Sequence, residues 1–484
     1  MAKRTFFLVL LVTLILVGMY FLPQISIAGY DFRQVNLLSD IMKDSTEVDT
    51  ARTEGENPKT EYMDYKDSVP AGMVPIEDFR DSLGIDREMD KFYEALRSAK
   101  KRPVRIAYFG DSFIEGDILT AAVRDLLQTQ FGGRGVGFVD IQSQVAGFRT
   151  TVLSHSKGWT EYAAVYGKGF NPQLQGINSR YYIPAPGAEI DMRGQNRVYA
   201  GHLDTVQVAT LFFSPQQGLT MNCSVNGGDF RPFYTAPEDS IADEIQSCTV
   251  NGKIGRVDIK VAGNGRFYGL ALENKTGIVL DNFSMRGSIG WHLGQIPQDV
   301  LNQFARLRNY DLIIMHFGLN MAAPSTHNYS RFCEKFETGL NLFRKAYPNA
   351  SILVFSMSNR DARSANGTFR TMDGVEALVE AQREMARKEG VAFWNLQQGM
   401  GGSGSMVELQ KEGKANRDYT HINFRGGEHI GKIFYDVLMN GKMNYDLRKG
   451  YVTKEQLKKQ AEHKSAHGGQ HKKHPNSSDS INNK

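Results

Sequence analysis

The chain has 484 residues, 41% hydrophobic and 23% charged, enough apolar material to bury the cores of two ordinary domains. Its formal charge is +4, and seven lysines against three acids in residues 452–484 account for all of it, so the neutral body gives no electrostatic case for nucleic-acid binding. Three cysteines exclude a disulfide-rich scaffold.

Lys3-Arg4 precedes an apolar run from Phe6 to Leu22, close to a minimal membrane span. This predicts an anchor in residues 1–28 with its basic flank in the cytoplasm. The string Ser26-Ile27-Ala28 keeps a cleaved signal peptide open. Either way the remaining chain is expected to be exported. Residues 29–75, polar and acidic from Asp44 onward, read as a linker. Asp86 to Lys100 then carries Met89, Phe92, Tyr93 and Leu96 at helical spacing, a face for packing.

From Val104 strands and helices alternate. Val104–Phe109, Gly277–Leu280, Asp311–Phe317, Ser351–Ser356 and Val391–Trp394 are short apolar runs that read as strands. Helical patterns over Ile118–Gln130, Pro297–Leu307, Ser330–Tyr347, Gly374–Gly390 and Gly427–Asn440 separate or follow them. Continuous apolar strands between helices predict an α/β domain, its parallel sheet covered on both faces. Residues 154–274 differ. Alternating segments such as Thr205–Phe213 and Arg256–Val261 lie between Gly, Asn and Pro turns, with no helical period. They predict a β-sandwich inserted between the two parts of the α/β domain, 76–153 and 275–451. Cys223 and Cys248 sit in similar strings within it, and both a disulfide and two buried thiols stay open. Residues 452–484, with four histidines among Lys, Gly, Ser and Asn, read as a disordered tail.

Four segments carry chemical side chains. Gly110-Asp111-Ser112 ends the first strand, where parallel sheets place their ligands. Met285-Arg286-Gly287-Ser288-Ile289-Gly290-Trp291 follows the second, and a glycine N–H there can donate to an oxyanion. Gly287 and Gly290 both qualify by type. Gly318-Leu319-Asn320 ends the third strand and offers an amide donor. Asp418-Tyr419-Thr420-His421 precedes the last helix and supplies a base with an acid to orient it. Each alone is an ordinary turn; all four at sheet ends or before the last helix are a constellation.

That order resembles the SGNH/GDSL hydrolase superfamily, whose four blocks supply Ser, Gly, Asn and His. The resemblance covers roughly residues 104–153 and 270–443 and implies a three-layer α/β/α domain. It implies Ser112 as nucleophile, His421 as base and Asp418 as its orienter. The oxyanion hole it implies is the Ser112 N–H, the Gly290 N–H and the Asn320 side chain, with no metal or cofactor. Gly290 is preferred to Gly287 because Gly287-Ser-Ile-Gly290 resembles the second block of related esterases. The stretches Gly110–Thr120 and Phe131–Phe138 are similar to the peptidoglycan O-acetylesterase branch, whose members carry an inserted sandwich resembling a carbohydrate-binding module. Phe113, Leu319 and Met321 depart from that branch beside the catalytic groups. The expectation is a serine esterase acting on an acylated glycan. With the N-terminal segment, it would work on the periplasmic side of the cell envelope, anchored to the inner membrane or secreted. An O-acetyltransferase served by a membrane acyltransferase partner, and an inactive glycan-binding scaffold, remain open.

Overall fold

A computed structural model of the chain describes residues 67–79, 87–143, 147–237, 244–364 and 367–457, and the backbone of two short antiparallel strands at 26–27 and 30–31. The apolar run Phe6–Leu22 and most of the histidine-bearing tail lie outside these residues. Among the described residues no helix is long and apolar enough to cross a membrane.

Five strands form the parallel sheet: β1 (Pro103–Gly110), β2 (Gly277–Ser284), β3 (Leu312–His316), β4 (Ser351–Phe355) and β5 (Ala392–Trp394). Every residue of β3, β4 and β5 is buried, which explains why they read as unbroken apolar runs rather than alternating ones. Their order is β2-β1-β3-β4-β5, with Glu77–Asp78 added antiparallel at the β5 edge. The helices contact one another in two groups. Asp90–Arg97 and Thr120–Phe131 pack on Phe424–Arg448, whereas Ser330–Ala346 packs between Gln298–Leu307 and Val375–Glu389. Met89, Phe92, Tyr93 and Leu96 are all buried, as their helical spacing requires. The end of the expected linker is tied down: the Ser68 N–H donates to Asn444 Oδ1 at 3.0 Å and Trp394 Nε1 to the Val74 carbonyl at 3.0 Å. Of the expected tail, residues 452–457 begin with reciprocal capping bonds between Thr453 and Gln456.

The insert is antiparallel, and its strands join in one ten-stranded sheet. The long strand Arg180–Gly194 bridges two strand groups, pairing through Tyr182 with Gly265–Glu273 and through Glu189–Met192 with Val257–Ala262. The sheet begins earlier than residue 154, because Gly137–Val139 already pairs with Leu270–Leu272. A three-residue strand carries too little pattern to be read alone. Among the described residues the insert's helical content is a single turn at Pro172–Leu174. Its cysteines are free thiols, so the unpaired reading of Cys223 and Cys248 holds here.

The insert is not a separate module. The described residues from 67 onward belong to one compact unit. Phe138, Phe212 and Tyr268 of the insert belong to the same hydrophobic core as β1 to β5. Polar bonds cross the junction too. The fully buried Asp281 of β2 accepts from Arg308 Nε (2.5 Å) and Nη2 (2.7 Å), the Tyr310 hydroxyl (2.6 Å) and the Phe138 N–H (2.8 Å). Burial alone would raise its carboxyl, but Arg308 and these bonds hold it below the usual range.

Candidate active site

The sheet order sets the place of the site. From β2 the chain crosses β1 to reach β3, so the connections on the two sides of β1 diverge. In such sheets the ligand position is the crevice at the carboxyl end of the strand where the connections diverge, here β1. Registry keeps the loops level, since Gly110 pairs with Ser284 of β2 and with His316 of β3.

Gly110 ends β1 where a Cβ would lie 2.9 Å from the Ile114 side chain and 3.1 Å from the His316 carbonyl, so the turn closes only around glycine. Asp111 is buried, with Oδ1 accepting from the Phe113 N–H at 2.9 Å. Burial pushes its carboxyl up to about 7, against the pull of that N–H and the His421 ring. Ser112 follows, half-buried. The chain then makes a turn at Glu115–Asp117 and enters the helix only at Thr120. Asp117 holds this turn from within, at φ +64° with a fully buried side chain. It accepts from Thr120 Oγ1 (2.7 Å), both terminal nitrogens of Arg124 (3.0 and 3.2 Å), Arg149 Nε (3.0 Å), Thr151 Oγ1 (2.6 Å) and Asn282 Nδ2 (3.0 Å).

The expected base, His421, lies in the loop before the last helix. Asp418 Oδ1 accepts from the Thr420 N–H (3.0 Å) and the His421 N–H (3.1 Å), while Oδ2 lies 2.8 Å from His421 Nδ1. One short turn therefore holds both backbone and ring of the histidine. Burial raises the Asp418 carboxyl, but these three bonds outweigh it and lower it overall. His421 Nε2 lies 2.9 Å from Ser112 Oγ. Behind it, Asn423 Oδ1 caps the last helix by accepting from the Arg425 and Gly426 N–H groups. A Cβ on Gly427 would sit 1.8 Å from the Ile118 carbonyl, so this glycine lets the helix rest directly on the nucleophile turn.

The other two blocks meet each other. Gly318, at φ +134°, turns the chain after β3. Asn320 Nδ2 donates to the Ser288 carbonyl at 2.9 Å, which leaves its second amide hydrogen free to serve a ligand. Gly290 needs to be glycine, since φ is +87° and a Cβ would lie 2.9 Å from the Phe317 ring. Its N–H is engaged: it donates to Ser288 Oγ at 2.9 Å, and that hydroxyl lies 2.8 Å from His292 Nδ1. Desolvation, with Arg180 nearby, pushes the His292 ring down to about 3, so it stays neutral. Gly287 is exposed, with no neighbour near its Cβ position.

The structure thus joins Ser112, His421 and Asp418 in one hydrogen-bonded chain, and brings Asn320 and Gly290 together around Ser288. Three supporting residues carried no readable signal. Asp117 and Ser288 look like ordinary turn residues. Gln382 lies mid-helix, yet its amide bridges β3 to β4, donating to the Phe317 carbonyl (2.7 Å) and accepting from the Met357 N–H (2.8 Å). Arg286 pairs with Glu115 at the rim, and Trp291 packs against the core.

These features define an SGNH/GDSL-type hydrolase fold carrying a β-rich insert. The chain is similar to a solved peptidoglycan O-acetylesterase, with a TM-score of 0.62 at 20% identity, covering 76% of this chain and 99% of that one. It also matches a GDSL-like lipase from Parabacteroides merdae (12% identity, 34% of this chain and 74% of that one, TM-score 0.26). A family two carbohydrate esterase from Cellvibrio japonicus matches at 8% identity over 61% of this chain and 99% of its own, with a TM-score of 0.25. No family model and no curated protein matches the chain.

Proposed function

We propose that this chain is a serine esterase that removes O-acetyl groups from a glycan. The observation that carries the reading is the Ser112–His421–Asp418 chain, with contacts of 2.9 and 2.8 Å, set at the crossover crevice of the sheet. Ser112 Oγ attacks the ester carbonyl as its proton passes to His421 Nε2, while Asp418 fixes the tautomer and steadies the imidazolium. The oxyanion meets the Ser112 N–H and the free amide hydrogen of Asn320. The resemblance adds the Gly290 N–H, which would first have to leave Ser288 Oγ. The imidazolium then protonates the departing sugar hydroxyl. A water molecule, deprotonated by His421, attacks the acyl-enzyme, releasing acetate and restoring Ser112.

Likeness of fold to a peptidoglycan O-acetylesterase supports a polymeric glycan as substrate. The apolar run Phe6–Leu22 supports work at the periplasmic side of the cell envelope. The test is acetate release from p-nitrophenyl acetate and acetylated oligosaccharides, beside Ser112→Ala and His421→Ala. Loss in both variants, with fluorophosphonate labelling of Ser112 in the parent, is the expected result. Full activity in Ser112→Ala sinks the proposal. Labelling without hydrolysis points instead to the acetyltransferase alternative.

A further inference from the structure

Beside the catalytic histidine stands a pair of aromatic rings that the chemistry above does not use. Tyr419 lies between Asp418 and His421, and its ring meets that of Phe369 at a centroid distance of 4.2 Å and an interplanar angle of 33°. Phe369 is 41% exposed although it is held in a strand. Tyr419 is at φ +50°, a left-handed conformation that residues other than glycine, asparagine and aspartate seldom adopt. Glycine would relieve that turn, yet a large ring occupies it.

The support beneath the pair is rigid. Phe369 belongs to a hairpin of Asp361–Arg363 with Phe369–Thr371. The buried Asp361 carboxylate accepts from Asn359 Nδ2 (2.9 Å), Thr371 Oγ1 (3.1 Å) and the Val407 N–H (2.9 Å). The Asp361 N–H donates to the Tyr419 carbonyl at 3.0 Å, tying the hairpin to the loop that carries the base. A partly exposed pair of rings, Phe369 and the half-buried Tyr419, is thereby tied to the loop of His421.

Resting on the esterase reading above, we propose that Phe369 and Tyr419 form a sugar-binding platform. It stacks on a pyranose ring of the same glycan, next to the sugar that bears the ester. A pyranose presents a face of C–H groups, weakly positive, which suits the negative face of an aromatic ring. The platform selects a chain of sugars over a small ester, because a small ester has no second sugar to lay on it. It therefore sets substrate choice rather than bond cleavage.

The test compares the parent with Phe369→Ala, Phe369→Leu and Phe369→Trp. For each, kcat/KM is measured on p-nitrophenyl acetate and on O-acetylated xylohexaose, chitohexaose and peptidoglycan fragments. For the glycan that the parent turns over fastest, the ratio of glycan to p-nitrophenyl acetate efficiency should fall about five- to ten-fold in Phe369→Ala. It should fall similarly in Phe369→Leu, which keeps apolar bulk without a ring face, and be retained in Phe369→Trp. An unchanged ratio in Phe369→Ala and Phe369→Leu overturns the platform. So does a parent that hydrolyses p-nitrophenyl acetate and none of the glycans. A parent that hydrolyses none of these esters and is not labelled at Ser112 overturns the esterase reading itself, a separate failure.

Discussion

Replacing Asp117 by asparagine tests whether the nucleophile turn depends on a buried charge. The carboxylate and Arg124 are both fully buried, with Nη2 to Oδ1 at 3.0 Å, and Arg149 adds a second cation at 3.0 Å. Burial by itself would raise the Asp117 carboxyl, but Arg124, Arg149 and the hydroxyl donors hold it far below the usual range. Asparagine keeps the shape and removes the charge. It leaves the Arg124 guanidinium buried without its counter-charge, held only by neutral acceptors: the asparagine amide oxygen and the Leu280 carbonyl at 3.1 Å. Breaking one side of such a pair costs about 3–5 kcal/mol. That is a large share of the roughly 5–15 kcal/mol by which a folded domain is stable. Equilibrium urea unfolding at pH 7 measures the loss, and the rate of fluorophosphonate labelling reports on Ser112, five residues away. Adding Arg124→Met should recover part of the stability, because both charges then leave together. A depressed carboxyl stabilises above its unfolded value, about 4, and loses that contribution as pH falls below it. The variant should thus lack the parent's added acid sensitivity. A loss under about 1 kcal/mol at pH 7, or full additivity with Arg124→Met, refutes the view of this pair as a buried, mutually dependent charge site.

Two further outcomes follow from the same geometry. Asn320→Ala should lower kcat about 10²- to 10³-fold on p-nitrophenyl acetate with little change in KM, as expected of a donor used in the transition state; a rise confined to KM would assign Asn320 to substrate binding. Asp111 carries the opposite sign from Asp117. Its folded value is raised to about 7 by burial, so the stability it contributes is present below about 4 and is lost as pH rises toward 7. Asp111→Asn should flatten that decline, read by urea unfolding at pH 5 and pH 8, and an equal slope in parent and variant counts against a raised Asp111.

Much of the sheet was legible because a parallel strand buried on both faces must be apolar throughout, and β3, β4 and β5 are. The second strand shows where this stops. Its pattern reads as ending at Leu280, but the strand runs to Ser284. Asp281 and Asn282 look like a strand end and are instead buried partners of Arg308 and Asp117. The last helix fails for a related reason. Its glycines suggest a start at Gly427, whereas it begins at Phe424 and reaches Arg448. Gly427, Gly431 and Gly441 lie where a Cβ would meet Ile118, Ala122 and Tyr93, so tertiary contact overrides their weak helix propensity. The contacts among Ser112, His421 and Asp418 were legible because Asp418 and His421 are three residues apart and Ser112 follows an evident strand. The engagement of the Gly290 N–H by Ser288 was not, because it depends on one side-chain rotamer.

The insert reaches the same two loops that carry Ser112 and His421. Arg149 and Thr151, at its entry, bond to Asp117 beneath the nucleophile turn. Phe148 packs over Gly116 on one side and meets the Phe424 ring at 5.7 Å on the other. Phe424 opens the helix three residues after His421, so one short segment touches the supports of both Ser112 and His421. Farther along, Arg180 Nη2 donates to the Ser284 carbonyl at 3.0 Å, where the Gly290 loop leaves β2. The hydrogen-bonded partners lie 32, 34 and 104 residues apart in sequence and the two rings farther still, and no local pattern announces them. A segment attached only by its ends could bind sugar without affecting the site. This one shares a hydrophobic core and a buried carboxylate with it, so its packing and the Ser112 turn rest on the same residues.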